Sequence, residues 1–408
     1  MVRAKSRSTL AVAGGVYHER CARPHWDEVF GSGGRAASSL AQAKIPIELH
    51  AYADVITKES MTARAALEGF RFRATGIEQG VSFDYLHGLD TPRISAHLTA
   101  PTIEVNASHV VRFGMLEGDA IIQADKAVYD PQSATSPQFF KANGSQASAV
   151  ALVLNRSEAV KLTGMSNAPL AELARALRVN ETQAVVIKMG AWGAFVAEGR
   201  KTAQIPAYRT ARVWKIGSGD TFVAAFAHRW LIEGRSAFDS ADLASRATAY
   251  FCETRTFANP TEFAAYNPEP LKLSARFRKR ARPNVYLAGP FFTLANLWLI
   301  EQVRSALIAL GLTVFSPYHD VGHGSADDVV SKDLDAIQRA DMVFAIGDGL
   351  DPGTVYEIGY ARSREKPVIV YCENETEEAL KMMQGSGCVI RDDFVTAIYQ
   401  SFWVVAAL

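Results

Sequence analysis

Two rhythms of apolar and polar positions run along this chain. Apolar runs at Thr9 to Gly15, Ala120 to Ala124, Ala149 to Leu154 and Ala184 to Lys188 have the length of buried strands. Between and after them, Pro169 to Ala176, Asp220 to Ile232 and Ser240 to Glu253 repeat apolar residues three and four apart, which predicts amphipathic helices. Strands that alternate with helices predict an α/β unit with a mainly parallel sheet. From Ile45 to Ser108 the alternation is shorter and rich in Thr, Arg, Phe and His, which predicts β-hairpins forming a lid or small second sheet.

The rhythm breaks between Asn267 and Pro283. Pro268, Pro270 and Pro283 bracket the basic run Arg276, Arg278, Lys279, Arg280 and Arg282, and prolines with clustered like charge resist regular packing. A linker over 269–283 is expected, separating 1–268 from 284–408. The run is short enough to be a solvated hinge rather than a nucleic-acid patch. At Asn284 to Ala288 a second series of strand, glycine turn and helix begins.

Composition narrows the classes. The 408 residues are 48% hydrophobic and 21% charged, enough to bury full cores over two or three domains. Lys+Arg and Asp+Glu are both 43, so no overall field draws the chain to nucleic acid or to an anionic membrane. No run of about 18 apolar residues suggests a membrane span. The basic start Met1 to Lys5 precedes too short an apolar stretch for a secretory signal. Cys21, Cys252, Cys372 and Cys388 are scattered without a CxxC pair, which suits reduced thiols in a cytoplasmic protein and gives no zinc pattern.

Candidate chemistry sits at two places. Gly217-Ser218-Gly219-Asp220 joins a strand-like segment to a helix. Its glycines let backbone N–H groups face a phosphate at a helix N-terminus, with Asp220 placed to take a proton from an attacking alcohol. An earlier glycine turn, Gly31 to Gly34, leads into a small-residue helix; Asp130-Pro131 ends a strand; and Asn155-Arg156-Ser157-Glu158 opens another helix. In this order the motifs resemble the PfkB/ribokinase family of sugar and nucleoside kinases over residues 8 to 265. The resemblance implies a ribokinase-like fold with a small β lid, Asp220 as catalytic base, and Gly217, Ser218 and Gly219 as the anion hole. It further implies Lys188 and Gly190 on the nucleotide side, Glu19, Gly33 and Gly34 on the substrate side, and Asn155 with Glu158 organising Mg²⁺ through phosphate or water. ATP and Mg²⁺ would be the cofactors. Trp214-Lys215 stands where most members carry Asp-Thr: Lys215 adds a phosphate contact, Trp214 closes the pocket, or the pair marks a nucleotide binder without efficient transfer. Glu19, beside His18, stands for the usual substrate Asp.

The second place is Tyr286-Leu-Ala-Gly289-Pro-Phe-Phe292, followed by Asp333-Leu-Asp-Ala-Ile337, Asp341, and Asp351-Pro-Gly-Thr-Val-Tyr-Glu357-Ile-Gly-Tyr-Ala361. Ligands bind at the carboxyl edge of a parallel sheet, where Tyr286 and the backbone after Gly289 would project. This succession resembles the nucleoside 2-deoxyribosyltransferase family over residues 284 to 400, which implies a flavodoxin/Rossmann-like domain that needs no cofactor. Glu357 would be the nucleophile, Asp333 the acid/base group for the nucleobase, Asp351 a sugar partner and Tyr286 the residue that positions the nucleophile. Gly289 and Phe292 would contact substrate. The family often completes its pocket from a neighbouring subunit, so a homo-oligomer is expected; Lys381-Met382-Met383 occupies that region here. His319 and His323 lack a third spaced ligand and read weakly as a metal pair.

The expectation is an α/β chain of two three-layer domains. Its function would be bifunctional: N-glycosidic cleavage or exchange on nucleosides, with ATP-dependent phosphorylation of a nucleoside or sugar, both on small molecules. Two alternatives stay open: a kinase-like half that only senses nucleotide, and a second domain that hydrolyses nucleoside 5′-monophosphates.

Overall fold

The computed structural model describes residues 9–96, 100–133, 135–279, 282–322 and 324–408; Met1 to Lys5 and His323 lie outside them. The chain divides into two compact units, Met1–Thr210 with Trp214–Pro270, and Ala211–Val213 with Leu271–Leu408.

The first unit holds β1 (Leu10–Ala13), β2 (His18–Arg23), β3 (Trp26–Val29), β4 (Ile47–Ala53), β5 (Arg71–Gly76), β6 (Ser82–His87) and β7 (Arg93–Ser95). It continues with β8 (Ile103–Phe113), β9 (Ala120–Asp130), β10 (Gln146–Asn155), β11 (Thr182–Lys188), β12 (Ala194–Glu198) and β13 (Lys201–Ile205). Nine strands form one sheet in the order β13-β12-β11-β10-β9-β8-β1-β4-β5, parallel except for the antiparallel edge pairs β11-β12 and β12-β13. Alternate residues feed opposite faces. Leu10, Val12 and Val111 pack with Phe222 and Phe226 on one side, and Ala11, Ala13 and Val110 with Leu173 and Leu177 on the other. This is the middle layer of a three-layer α/β unit.

The stretch predicted as hairpins is only partly so. β4 and β5 belong to the main sheet and are joined by a helix, Val55–Glu68, which buries only Thr57, Met61 and Ala65. A stripe of three residues, two of them small, hides the helical period among polar neighbours. Asp54 caps its start by accepting from the Thr57 amide, and Gly69 ends it at φ 80°. The small sheet is β3-β2-β6-β7 and draws two of its strands from before the predicted region.

β8 and β9 run parallel along eleven residue positions each, yet only Gly114 to Asp119 connect them. Six residues span at most about 25 Å, whereas a straight eleven-residue strand is about 35 Å long. Neither strand can therefore run straight, and the exposed positions near their midpoints, Asn106 and Lys126 among them, lie where the pairing skips Ser108 and Asp125.

The second unit is a five-stranded parallel sheet of β14 (Asn284–Ala288), β15 (Thr313–Phe315), β16 (Met342–Ile346), β17 (Val368–Tyr371) and β18 (Val389–Arg391), in the order β15-β14-β16-β17-β18. The chain leaves β14 to one side and returns to β16 on the other, so the crevice outside their carboxyl ends is the topological switch point, where ligands of such sheets bind. Within the segment expected as a linker, the helix Ala275–Arg278 buries Phe277, whose ring meets Phe402 edge-on at 5.6 Å, and Arg276 pairs with Asp341 at 2.5 Å. That part of the basic run is spent on packing. Among the described residues no helix is long and apolar enough to cross a membrane.

Candidate active sites

The switch point of the second unit is where its acids gather. Tyr286 lies on the central strand β14, fully buried, its ring stacked on Phe315 at 5.7 Å. The helix Pro352–Ser363 follows β16 and is capped by Asp351, whose Oδ2 accepts from the Thr354 amide at 2.8 Å and hydroxyl at 2.9 Å. Its second turn brings Glu357 to Tyr286, and Tyr286 Oη donates to Glu357 Oε1 at 2.5 Å. Burial pushes the Glu357 carboxyl up to about 7; Asp333 and Asp351 add to this and the tyrosine hydrogen bond opposes it. Asp333, on the helix Ala326–Arg339, is also raised by burial, and its Oδ1 is buried without a hydrogen-bond partner among the described residues.

A carboxylate with one oxygen fixed and the other free is arranged for nucleophilic attack, and an orphaned acid nearby is arranged to give or take a proton. Because Tyr286 donates to the ionised form, Tyr286→Phe is expected to raise the Glu357 pKa. The rising limb of the pH profile of kcat/KM then moves up from near pH 7, and the rate at pH 7 falls about 10-fold. A profile that keeps its midpoint would deny the tyrosine this role.

The remaining residues singled out in this unit have the following surroundings. Gly289 is a tight spot: a Cβ there would lie 3.1 Å from Ile300 Cδ1 and 3.2 Å from Ile346 Cβ. Phe292 is 72% exposed and stacks obliquely on Phe291, which in turn meets Tyr318. Met383 is a core residue. Both ring nitrogens of His319 are engaged, by Ser316 at 3.1 Å and Glu301 at 2.7 Å.

In the first unit the glycine turn is formed as its sequence requires. Gly217 takes φ 76° as the cap of the helix Ser218–Ala227, which places Asp220 in the first turn. Two ammonium groups flank the turn. Lys215 Nζ donates to Ser218 Oγ at 3.1 Å, and Lys188, at the end of β11, lies 3.8 Å from where a Gly219 Cβ would stand. Burial lowers the Lys215 pKa and the nearby Lys188 charge acts in the same direction. A helix N-terminus with two lysines beside it is a donor set with the chemistry to receive an anion.

Lys188 is also tied to Asp130, whose carboxyl burial pushes up to about 7 and whose Oδ1 has no partner among the described residues. Asn155 and Glu158 form a capping box, Glu158 N donating to Asn155 Oδ1 at 2.9 Å and Asn155 N to Glu158 Oε2 at 2.8 Å. Among the described residues no three His, Cys, Asp or Glu side chains cluster as a ready metal cage. The donor set fits Mg²⁺ carried mainly by phosphate and water, with the orphaned Asp130 oxygen and Glu158 as acid neighbours.

Gly190 opens a short 3-10 turn after β11, at φ 56°. Gly33 packs so closely that a Cβ would lie 2.6 Å from Gly14 O, and the Gly33 and Gly34 amides both donate to Gly15 O. Trp214 is buried with Cys21, Ile216 and Phe251 against Trp26 and Tyr85 of the small sheet.

One residue that the sequence did not single out dominates this site. Arg35, in the first helix Gly31–Gln42, is 1% exposed. It forks onto Glu19, Nη1 to Oε1 at 3.2 Å and Nη2 to Oε2 at 2.5 Å, and its Nη1 also reaches Asp220 Oδ2 at 3.0 Å. Gln132 Nε2 donates to the other Asp220 oxygen at 2.7 Å. Burial alone would lower the Arg35 pKa, but the Glu19 and Asp220 carboxylates outweigh it and hold the proton more firmly. The predicted substrate acid and the predicted base are thus joined through one guanidinium. The signal was a lone arginine beside the Gly33-Gly34 turn, which nothing in the sequence separates from an ordinary solvated residue.

The two folds are α/β units in succession, and each contains a segment that matches a known enzyme family. Residues 118–263 match the pfkB family carbohydrate kinase model and residues 285–393 match the nucleoside 2-deoxyribosyltransferase model. The chain carries a PfkB carbohydrate kinase domain and a nucleoside 2-deoxyribosyltransferase domain in succession. Among solved structures, a fructokinase from Vibrio cholerae O395 bound to fructose, ADP and calcium ion is similar at 14% identity and TM-score 0.50, over 64% of this chain and 99% of that one. A PfkB protein from Polaromonas sp. JS666 shares 15% identity at TM-score 0.47, over 64% of this chain and 100% of that one. A nucleoside kinase from Methanocaldococcus jannaschii shares 12% at TM-score 0.47, over 61% and 93%. The fructokinase likeness shows that the first unit has the ribokinase-like fold. A comparison with curated proteins found no match.

Proposed function

We propose that the chain is a bifunctional enzyme of nucleoside metabolism whose second unit cleaves or exchanges an N-glycosidic bond and whose first unit phosphorylates a nucleoside or sugar with ATP. The observation that carries the reading is the 2.5 Å bond from Tyr286 to Glu357 at the switch point of the second sheet. With Oε1 held by the tyrosine, Oε2 attacks the anomeric carbon. A C–O bond forms as the C–N bond breaks, and the electron pair passes to the base nitrogen, which takes a proton from Asp333. Asp351 keeps Oδ1 for a sugar hydroxyl while Oδ2 caps the helix. A second base or water then attacks the same carbon while its proton passes to Asp333; the sugar–carboxylate C–O bond breaks, its electron pair returns to Glu357, and the residue is freed. No cofactor enters this sequence.

In the first unit the Gly217 to Gly219 amides with Lys188 and Lys215 bind the phosphates, Mg²⁺ supplies charge neutralisation when bound, and Asp220 accepts the proton of the attacking hydroxyl. The test is mass spectrometry of the full chain after exposure to a slow-reacting nucleoside. A gain of one sugar mass on the peptide bearing Glu357 is expected; base release with no adduct on that peptide would overturn the covalent reading.

A second reading, a nucleotide-sensing first unit without phosphoryl transfer, is favoured by one observation, the engagement of both Asp220 oxygens by Arg35 and Gln132.

A further inference from the structure

We propose that Arg35 is a positioning residue that holds Asp220 away from water, so that phosphoryl transfer proceeds only when an acceptor's hydroxyl groups replace the guanidinium on Glu19. The inference rests on the kinase reading of the first unit.

Four observations converge. Each oxygen of Asp220 already has a donor from the chain, Gln132 on Oδ1 and Arg35 on Oδ2. Arg35 lies across the glycine turn itself, because a Cβ on Gly217 would fall 2.0 Å from its Nε. The guanidinium lies over two rings, its Cζ 5.9 Å from the Trp26 centroid and 5.1 Å from that of Phe30; its fork ends on the buried Glu19 and its third bond on the half-buried Asp220. Gln132 is held at φ 43°, a left-handed conformation that a non-glycine residue adopts only where its surroundings impose it, and the contact it makes there is the one to Asp220.

With one fixed donor on each oxygen, Asp220 keeps only its remaining lone pairs for a water, and that water would have to fit beside Arg35 and Gln132. With ATP bound and no acceptor, the wasteful reaction would form a bond from water oxygen to the γ-phosphorus, break the bond to the β,γ-bridging oxygen, leave that electron pair on ADP and send the water proton to Asp220. Arg35 and Gln132 limit access to the proton acceptor of that reaction. An acceptor with hydroxyl groups restores it, because its O–H donors on Glu19 substitute for the two N–H donors of the fork and let the arginine withdraw.

The test measures phosphate release by the full chain in Mg²⁺ and ATP without acceptor, alongside calorimetric binding of MgADP. The wild type is expected to bind MgADP and release phosphate at the background rate. Arg35→Gln should release it at least 10-fold faster, and Arg35→Gln combined with Asp220→Asn should return to background. Gln132→Gly, which relaxes the left-handed position while removing one donor, should give a smaller rise and decides the matter if Arg35→Gln does not fold. Variants that bind MgADP but release phosphate no faster than the wild type would overturn the guard alone. A wild type that binds no MgADP would overturn the kinase reading, and the guard with it.

Discussion

Glu357→Gln should lower kcat/KM for nucleoside cleavage by at least about 10³, because a carboxamide cannot form the sugar ester and the covalent route is lost. It should also make the protein more stable, in a pH-dependent way. The folded-state carboxyl titrates at about 7 against an ordinary 4.5. The folded form therefore holds a proton that the unfolded chain has already lost between those values, and wild-type stability falls as pH rises from about 4.5 to about 7. A shift of this size corresponds to about 3 kcal/mol. Thermal or denaturant unfolding at pH 8 should show the variant gaining up to about that amount, and at pH 4 the gain should disappear. Full-speed cleavage by the variant, or equal stability at both pH values, would remove Glu357 from its assigned place. The expected opposition of activity and stability has a physical source: a carboxylate is kept reactive by surroundings that would prefer it neutral.

Asp220→Asn should lower phosphorylation of an acceptor by about 10² to 10⁴, the contribution of a positioned general base. Affinity for MgADP should change little, since the amides of the glycine turn, Lys188 and Lys215 remain. An Asn keeps an acceptor oxygen for Gln132 or Arg35, so the fold is conserved better than with Ala. Arg35 itself is a different matter. Deleting a buried guanidinium leaves Glu19 and Asp220 facing each other without compensation, and loss of one partner of a buried ion pair costs about 3–5 kcal/mol. Activity and nucleotide binding together separate the two readings of this unit. Binding with Asp220-dependent product is the kinase, and binding with no product from any nucleoside or sugar is the sensor.

Much of both sites was readable along the chain because their key residues sit at positions with local signatures. Gly217 must take a positive φ to begin a helix there, Asn155 and Glu158 satisfy each other's backbone three residues apart, and Asp351 caps the helix that carries Glu357. Each is a short-range requirement, and each left its residue type in the sequence. The helix Val55–Glu68 was missed because its buried stripe is three residues, two of them small, and the bent β8 and β9 were missed because no local period records a strand that bends. Asn155 and Glu158, read as metal organisers, first of all cap a helix, and a metal role would use what that cap leaves over.

Arg35 shows the limit most clearly. Its partners are 16 positions before it and 185 after it, so no window of sequence holds the interaction. By itself the sequence determined two α/β units in series, the glycine turns and caps that open their functional helices, and the residue types available for phosphate and glycosidic chemistry. Only the tertiary structure supplied the geometry by which Tyr286 donates to Glu357, a pair the sequence had already put forward, and revealed that Arg35 joins Glu19 to Asp220. The reason is that helix starts and turns are satisfied by near neighbours, whereas a buried charge is satisfied by whichever opposite charge the folded sheet brings within about 3 Å.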